Sequence, residues 1–266
     1  MILNDLTIKD ISVTIITKDA SKHLNKCLQA LKMFSEVIVV DNGSTDNTLE
    51  IASKFGNVKL FEHDFIGFGP LKKLATTYAK NDWILSIDSD EIIPEDLVKY
   101  LYDLKLDNEY VYTLRRLNHY DGRPIKGAGW YPDKVKRIFN RSETNFNDNM
   151  VHESVVSLKV KDIPLHIEHY TCENASQMLQ KMDKYTTIYA NSNPKKKTTF
   201  LKAIVSAKWA FIKAYFIKKG FLYGTEGFVI SLYNALGAFF KHFKLLEKNK
   251  SQKNKDIFTS DENNRT

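Results

Sequence analysis

The chain has 266 residues, 43% of them hydrophobic and 27% charged. This is ordinary for a globular protein with one large domain, or one domain and an appendage, and excludes a wholly disordered, collagen-like or polytopic membrane chain. Cys27 and Cys172 are the only cysteines, too few for a disulfide framework or a four-cysteine zinc site, so a reducing compartment is expected.

The opening MILNDLTIKDIS lacks a basic stretch followed by a long apolar run, so no secretory signal is expected and the protein is placed in the cytoplasm. Lys and Arg number 39 against 32 Asp and Glu, net +7. Residues 195–266 hold 15 basic and 5 acidic side chains, which leaves 24 and 27 in residues 1–194. The basicity therefore belongs to the C-terminal part, where it suits phosphates of nucleic acid or of an anionic membrane.

Four short apolar runs open the chain: Ser12–Ile16, Glu36–Val40, Asn57–Phe61 and Asp82–Ile87. Their continuity predicts strands buried on both faces. Helical patterns separate them, with Leu24, Leu28 and Leu31 on one face, then Leu49, Ile51 and Ala52, then Leu71, Leu74, Ala75 and Tyr78. Such alternation predicts a parallel sheet with ligands bound beyond the strands' carboxyl ends. The loops of interest are thus Thr17–Ser21, Asp41–Asp46, Glu62–Pro70 and Asp88–Pro94. Further on, VYTLRR and VKRIF predict strands, with glycines and prolines between them, and Glu173–Asn191 predicts a helix. Two long aromatic and lysine-rich helical patterns follow from Thr199, and from about Asn249 a polar tail is expected to be disordered.

Asp88, Asp90 and Glu91 follow the fourth strand directly. Three carboxylates in four residues repel unless screened, and at a strand's end they can hold a divalent metal; the alternative is a solvated turn before a helix, with Pro94 as an early helical residue. In DNGSTDNT, Asp41 ends the second strand, Gly43 permits a left-handed turn, and Ser44, Thr45 or Asp46 can cap the next helix.

TIITKD, VIVVDNGSTDNT and LSIDSDE, in this order and spacing, resemble glycosyltransferase family 2, the inverting enzymes of the GT-A fold. GFGPLKKLA, GWYPDKVKRIF, VHE and HYTCENASQMLQKMDKY extend the resemblance to the bacterial lipopolysaccharide-core β-glucosyltransferase branch over about residues 10–247. The chain departs from the branch at Thr17-Lys18-Asp19-Ala20, where T-K-N-E is frequent, and at Leu71-Lys72-Lys73, where Q-K-N is frequent; Lys72 keeps the matching position.

The resemblance implies an α/β GT-A nucleotide-sugar-binding fold, with a mostly parallel central sheet and a C-terminal helical appendage. The corresponding division is a catalytic domain over 1–172, a helical region over 173–248 and the tail over 249–266. Thr17 and Asp41 would line the nucleoside pocket, Asp41 accepting the uracil imide N–H. Lys72 would approach the nucleotide-sugar, Asp88 would face the ribose or the metal, and Asp90 would ligate a divalent cation, Mg2+ or Mn2+. His169 is a further metal ligand or a ring packed on Tyr170. Glu153 is the general base of choice, with His152 beside it as the alternative and Asp148 and Asp133 behind. Arg137 is placed to pair with Glu153 or a sugar phosphate. Trp130 is either a sugar platform or core.

The implied activity is transfer of a hexose, glucose from UDP-glucose, to an inner-core sugar of a lipid-linked saccharide. Alternatives are a polyprenyl phosphate or other glycan acceptor and, in another class, a nucleic-acid-binding protein or a scaffold. The body is net acidic and carries no nucleic-acid motif, so no nucleic-acid partner is expected. The longest uncharged run of the C-terminal part, Gly227–Phe240, is shorter than the ~20 residues of a spanning helix. Residues 199–248 are therefore expected to lie on an anionic membrane surface, peripheral at the inner face of the cytoplasmic membrane, with Lys202, Lys208, Lys213, Lys218 and Lys219 on lipid and Trp209, Phe211, Phe216 and Phe221 in the interface.

Overall fold

Side chains alternate across a strand, so an apolar run longer than three residues must bury both faces of its sheet. Strands β1 (Ile11–Thr17), β2 (Val37–Asp41) and β4 (Trp83–Asp88) carry such runs and are buried on both faces, whereas β3 (Val58–Glu62), expected to do the same, lies at the edge of the sheet and has no fully buried residue. The structure is a computed structural model that describes residues 8–150, 153–156 and 159–263. Val37 and Val39 of β2 face one core, with Val13, Ile15, Leu85 and Ile87. Ile38 and Val40 face the other, with Ile84 and Phe139.

Helices cover both faces. Leu24, Leu28 and Leu31, from α1 (Ser21–Ala30) and the residue after it, pack into the first core, as do Ala52 of α2 (Thr48–Ser53) and Leu97 and Leu101 of α4 (Glu95–Asp103). Leu71 and Ala75 of α3 (Phe68–Thr77) pack into the second. Pro94 is extended and immediately precedes α4, where a missing N–H costs nothing.

Strands β3, β2, β1 and β4 pair in parallel, in that order. The sheet then continues through β8 (Asp133–Asn140), β6 (Tyr110–Tyr120), β9 (Lys159–Cys172) and the short β5 (Glu91–Ile92), with the two-residue β7 (Arg123–Pro124) paired to the end of β6. The pairs β4–β8, β6–β8 and β5–β9 are antiparallel. The parallel sheet read from the strand–helix alternation is thus one half of a mixed sheet, because no helical crossovers separate the later strands.

The chain divides into two compact units: residues 1–118 with 132–171, which contain the parallel strands, and residues 119–131 with 172–266. The second unit therefore takes up 119–131 as well as the C-terminal region. Its helix α5 (Ala175–Ser192) starts at Asn174, whose side chain accepts from the Gln177 backbone N–H while Gln177 accepts from that of Glu173. These reciprocal bonds satisfy N–H groups that the helix cannot. Helix α6 (Phe200–Ile212) begins at its cap Thr199.

A π turn over Lys213–Ile217 and a 3-10 turn over Gly220–Tyr223 form an elbow leading into α7 (Gly224–Asn263). Helix α7 runs through the segment from 249 that the sequence reading leaves as a disordered tail; the segment has no glycine or proline to stop it. Lys244 of α7 donates to Asp183 and Thr187 of α5. Trp130 lies against a small core of Ile125, Ala128, Cys172, Met178 and Ile230 in this unit, the packing role foreseen as the alternative to a sugar platform.

Candidate active site

Parallel register decides which loops meet. Thr17 stands opposite Asp41, and Ile16 opposite Asp88, so the ends of β1, β2 and β4 lie side by side at one edge of the sheet. Thr17 is buried and its hydroxyl finds no hydrogen-bond partner among the described residues. Asp41 is buried too, and its Oδ2 accepts from the backbone N–H groups of Gly43 and Ser44, while Oδ1 accepts from the Ser44 hydroxyl. Gly43, at φ 95°, makes that return possible.

The first two loops are stitched together. Asp19 accepts from the backbone N–H and hydroxyl of Thr45, and Asp46 from the N–H of Ser21. Asp46 also accepts from the N–H and hydroxyl of Thr48, so it caps α2 from just outside the helix, one of the three residues proposed for that task. The Thr48 and Ser21 bonds hold its carboxyl well below the usual carboxylate range.

Lys72 sits in the second turn of α3, where only 4% of it is exposed. A buried ammonium needs partners, and it has two: Nζ donates to Asp88 Oδ1 and to Glu153 Oε1, both at 2.8 Å. Arg137 of β8 continues the chain of charges, donating through Nη2 to Asp88 Oδ2 at 2.7 Å and to Glu91 Oε1. Glu91 Oε2 accepts from the backbone N–H of Asp88 at 3.0 Å, and Arg116 approaches Oε1 at 3.8 Å while pairing with Asp133.

Burial opposes ionisation of Asp88, but Arg137 and Lys72 outweigh it and hold the carboxyl well below its ordinary range. Glu91 goes the other way: burial dominates, Asp88 adds repulsion, and the attraction of Arg137 falls short, so its pKa is raised. The guanidinium of Arg137 is itself raised, burial being outweighed by Asp88 and Glu91.

His169 reaches the same loop because β5 pairs with β9, setting Glu91 opposite His169. The Tyr170 N–H donates to the carbonyl of Asp90 at 3.1 Å, and His169 Nε2 lies 3.5 Å from Asp90 Oδ2. On its other side Nδ1 is 2.5 Å from Asn118 Oδ1, which also accepts from Thr171. A neutral ring that donates from Nδ1 to Asn118 turns the Nε2 lone pair toward the Asp90 carboxylate, an arrangement that a cation between them relieves. The ring stacked on Tyr170 is His23, at 5.2 Å, and not His169.

Of the residues picked from the sequence, the fold gathers Thr17, Asp41, Lys72, Asp88, Asp90, Glu153 and His169 at the carboxyl ends of the parallel strands and the loops beside them. His152 lies outside the described residues. Asp148 pairs with Lys73, and Asp133 with Arg116. Arg137 pairs with Asp88 and Glu91 and not with Glu153. The sequence reading misses the Arg137–Glu91 pair and Asn118. An arginine among the apolar residues of VKRIF is the one signal for the first.

Residues 147–150 are seated on the start of α3. Phe68 and Gly69 donate backbone hydrogen bonds to the carbonyls of Met150 and Asn149. A Cβ on Gly69 would stand 2.2 Å from the Asn147 carbonyl oxygen and 2.8 Å from that of Asn149. Gly69→Ala is therefore expected to destabilise by about 1–3 kcal/mol, as overpacking does. Gly56→Ala, with nothing within 4 Å of the added atom, should melt like the parent in the same thermal scans.

Comparisons with known proteins identify the family. The family model described as glycosyl transferase family 2 matches residues 12–161. An uncharacterized glycosyltransferase of Rickettsia prowazekii, RP128, is 31% identical over 270 residues, covering 95% of this chain and 91% of the relative. The lipopolysaccharide core biosynthesis glycosyltransferase LpsC of Rhizobium meliloti is 24% identical over 257 residues, covering 90% of this chain and 92% of LpsC. Among solved structures, the mannosyltransferase PcManGT of Pyrobaculum calidifontis, in complex with GDP-Man and Mn2+, matches with a TM-score of 0.48 at 12% identity, covering 86% of this chain and 73% of that one. The extent of the family match and the similarity to the Rickettsia protein identify the chain as a glycosyltransferase belonging to glycosyl transferase family 2, with that family's mixed α/β GT-A fold.

Proposed function

We propose that this glycosyltransferase moves glucose from UDP-glucose, with inversion, to an inner-core sugar of a lipid-linked saccharide in lipopolysaccharide or lipooligosaccharide biosynthesis. The observation that carries the proposal is the convergence of Lys72, Asp88 and Glu153 beside the Asp90–His169 pair, at the strand ends where α/β sheets bind nucleotides. The similarity to LpsC, a lipopolysaccharide core biosynthesis glycosyltransferase, supports the acceptor class.

In this reading Thr17 and Asp41 wall the nucleoside end, and the buried, unpartnered Thr17 hydroxyl gains a partner when nucleotide binds. Asp88 and Lys72 face the nucleotide-sugar. Glu153 takes the proton of the acceptor hydroxyl as its oxygen bonds to C1 of the sugar and the bond from C1 to the diphosphate breaks. Lys72 fixes the Glu153 carboxylate and sets a positive charge in a buried place, where it acts strongly on the anionic leaving group.

Asp90 and His169 fit a divalent cation. Their donor atoms are 3.5 Å apart, and Mg2+ and Mn2+ sites in such enzymes need only one or two protein ligands when phosphates and water supply the rest. When bound, Mg2+ or Mn2+ would supply charge to the leaving diphosphate. Asp90→Ala is expected to abolish divalent-dependent transfer and leave the melting temperature unchanged, since its side chain is a third exposed on a loop. Activity equal to the parent across a manganese titration would remove Asp90 from that role.

The same proposal places the protein in the cytoplasm, attached peripherally to the inner face of the cytoplasmic membrane through residues 199–248. No helix among the described residues is long and apolar enough to cross a membrane; what supports peripheral attachment is that α6 and the elbow expose aromatics beside lysines. The deciding test is a panel of nucleotide-sugars with a heptose-bearing lipid acceptor, read by mass. Gain of one hexose from UDP-glucose alone is the expected result. Preference for another sugar nucleotide, or for an acceptor without the core sugars, would overturn the assignment.

A further inference from the structure

The elbow between α6 and α7 is built rigidly and shows apolar side chains to solvent. Phe216, Ile217, Phe221 and Leu222 are 58%, 56%, 48% and 62% exposed. Four large hydrophobic side chains so close together are an unusual surface for a water-facing turn.

Their exposure does not come from a loosely held loop. Gly220 and Gly227 bring backbones into contact: a Cβ on Gly227 would lie 1.8 Å from the Gly220 carbonyl oxygen, and one on Gly220 would lie 2.8 Å from Ser231 Oγ. Lys219 is held in the left-handed region at φ 56°, which a lysine adopts only when its surroundings impose it. From the inner side the Ala128 N–H donates to the Lys218 carbonyl at 2.8 Å, and the Tyr223 hydroxyl accepts from the Lys126 N–H. Tyr215 stacks on Phe211 at 5.4 Å and meets Phe228 edge-on at 5.9 Å. Phe211, expected from the sequence to enter the interface, is spent in this ring cluster.

The charge of the elbow and of the segment leading to it has one sign, and the first acidic residue beyond it, Glu226, is paired with Arg123 at 3.1 Å. From Lys195 to Thr225 there are eight lysines and no acidic residue. An anionic bilayer complements such a collar, with phosphates for the lysines and acyl chains for the rings. A second copy of this chain does not, because a two-fold contact would set the lysines against one another.

We propose that residues 213–223 are the part of the protein that enters the membrane, Phe216, Ile217, Phe221 and Leu222 lying among the acyl chains while Lys213, Lys218 and Lys219 hold anionic headgroups. The proposal rests on the peripheral attachment inferred above and names the element responsible.

The test uses the full chain with Leu222→Cys, labelled with an environment-sensitive fluorophore; the two native cysteines, Cys27 and Cys172, are buried. With vesicles of phosphatidylcholine and phosphatidylglycerol the emission should shift to the blue, and less so with phosphatidylcholine alone. The same label at exposed Met33, introduced as Met33→Cys, should not shift. The pair Phe216→Ser with Leu222→Ser should weaken sedimentation with anionic vesicles at least tenfold, the order expected for two large apolar side chains, and leave the affinity for UDP and the melting temperature unchanged. If the parent sediments with vesicles but the label at 222 stays water-like and the paired serines bind equally, the elbow is not the inserting element and the peripheral attachment stands. If the parent does not bind anionic vesicles at low salt, the attachment and the elbow's role both fail. A blue shift that grows with protein concentration in the absence of lipid would assign the surface to a second copy and overturn the proposal.

Discussion

Glu153→Gln is expected to keep UDP-glucose binding and to lower transfer by about 10²–10⁴-fold, the range for loss of a general base. Glutamine matches glutamate in shape, and its amide oxygen can still accept from Lys72, which bonds Oε1 at 2.8 Å in the parent. Lys72 also keeps Asp88, so the buried ammonium is not stranded and the fold should survive. What the amide cannot do is take a proton from the acceptor hydroxyl. The loss should therefore fall on kcat, with the donor KM and the affinity for UDP little changed. Calorimetric UDP titration and single-turnover transfer measure the two halves separately. Near-normal turnover would move the role to His152 or Asp148. Asp148 is exposed and paired with Lys73, which suits a general base poorly.

The parallel half of the fold was legible because strands buried on both faces need continuous apolar runs. Val37–Asp41 could hardly be anything else, and its placement carried Asp41 to the strand end. The antiparallel half was not. β5 is two residues long, and its pairing with β9 joins segments far apart in the chain; no local pattern records a partner at such a distance. His169 could be singled out by resemblance, but its meeting with Asp90 follows from that register alone. Arg137 shows the same limit. Glu153 or a sugar phosphate was expected as its partner, and that Asp88 and Glu91 take this place depends on which strands flank β8. The end of α7 was missed for a different reason: a polar segment without glycine or proline can extend an established helix, and composition alone does not separate that from disorder.

Arg137→Leu should be among the most destabilising single changes in the unit that contains the parallel strands, at about 3–5 kcal/mol, the range for removing one partner of a buried ion pair. Only 4% of the arginine side chain and none of the glutamate's is exposed, so water cannot replace the lost guanidinium. Glu91 would retain Arg116 at 3.8 Å, a much weaker contact, and Asp88 would retain Lys72. Arg137→Lys should recover only part of the loss, because an ammonium cannot bridge Asp88 and Glu91 as a planar fork does. Adding Glu91→Gln to Arg137→Leu should restore more, since it removes the stranded charge, and the shortfall from additivity measures the coupling. The sign with pH is also fixed. The Glu91 carboxyl is already raised in the folded protein, and loss of Arg137 raises it further. A raised carboxyl contributes stability below its unfolded pKa and loses it as pH rises through the folded value. The deficit of Arg137→Leu should therefore shrink toward acid pH and widen toward neutrality, and should do so less once Glu91 is glutamine, the remainder coming from Asp88, whose carboxyl Arg137 also holds low. Urea unfolding of the four proteins at acid and neutral pH reads all of this directly. A loss below about 1 kcal/mol for Arg137→Leu, within the range of an exposed pair, would mean that the buried bridge between β4, β5 and β8 does not hold the acidic loop in place.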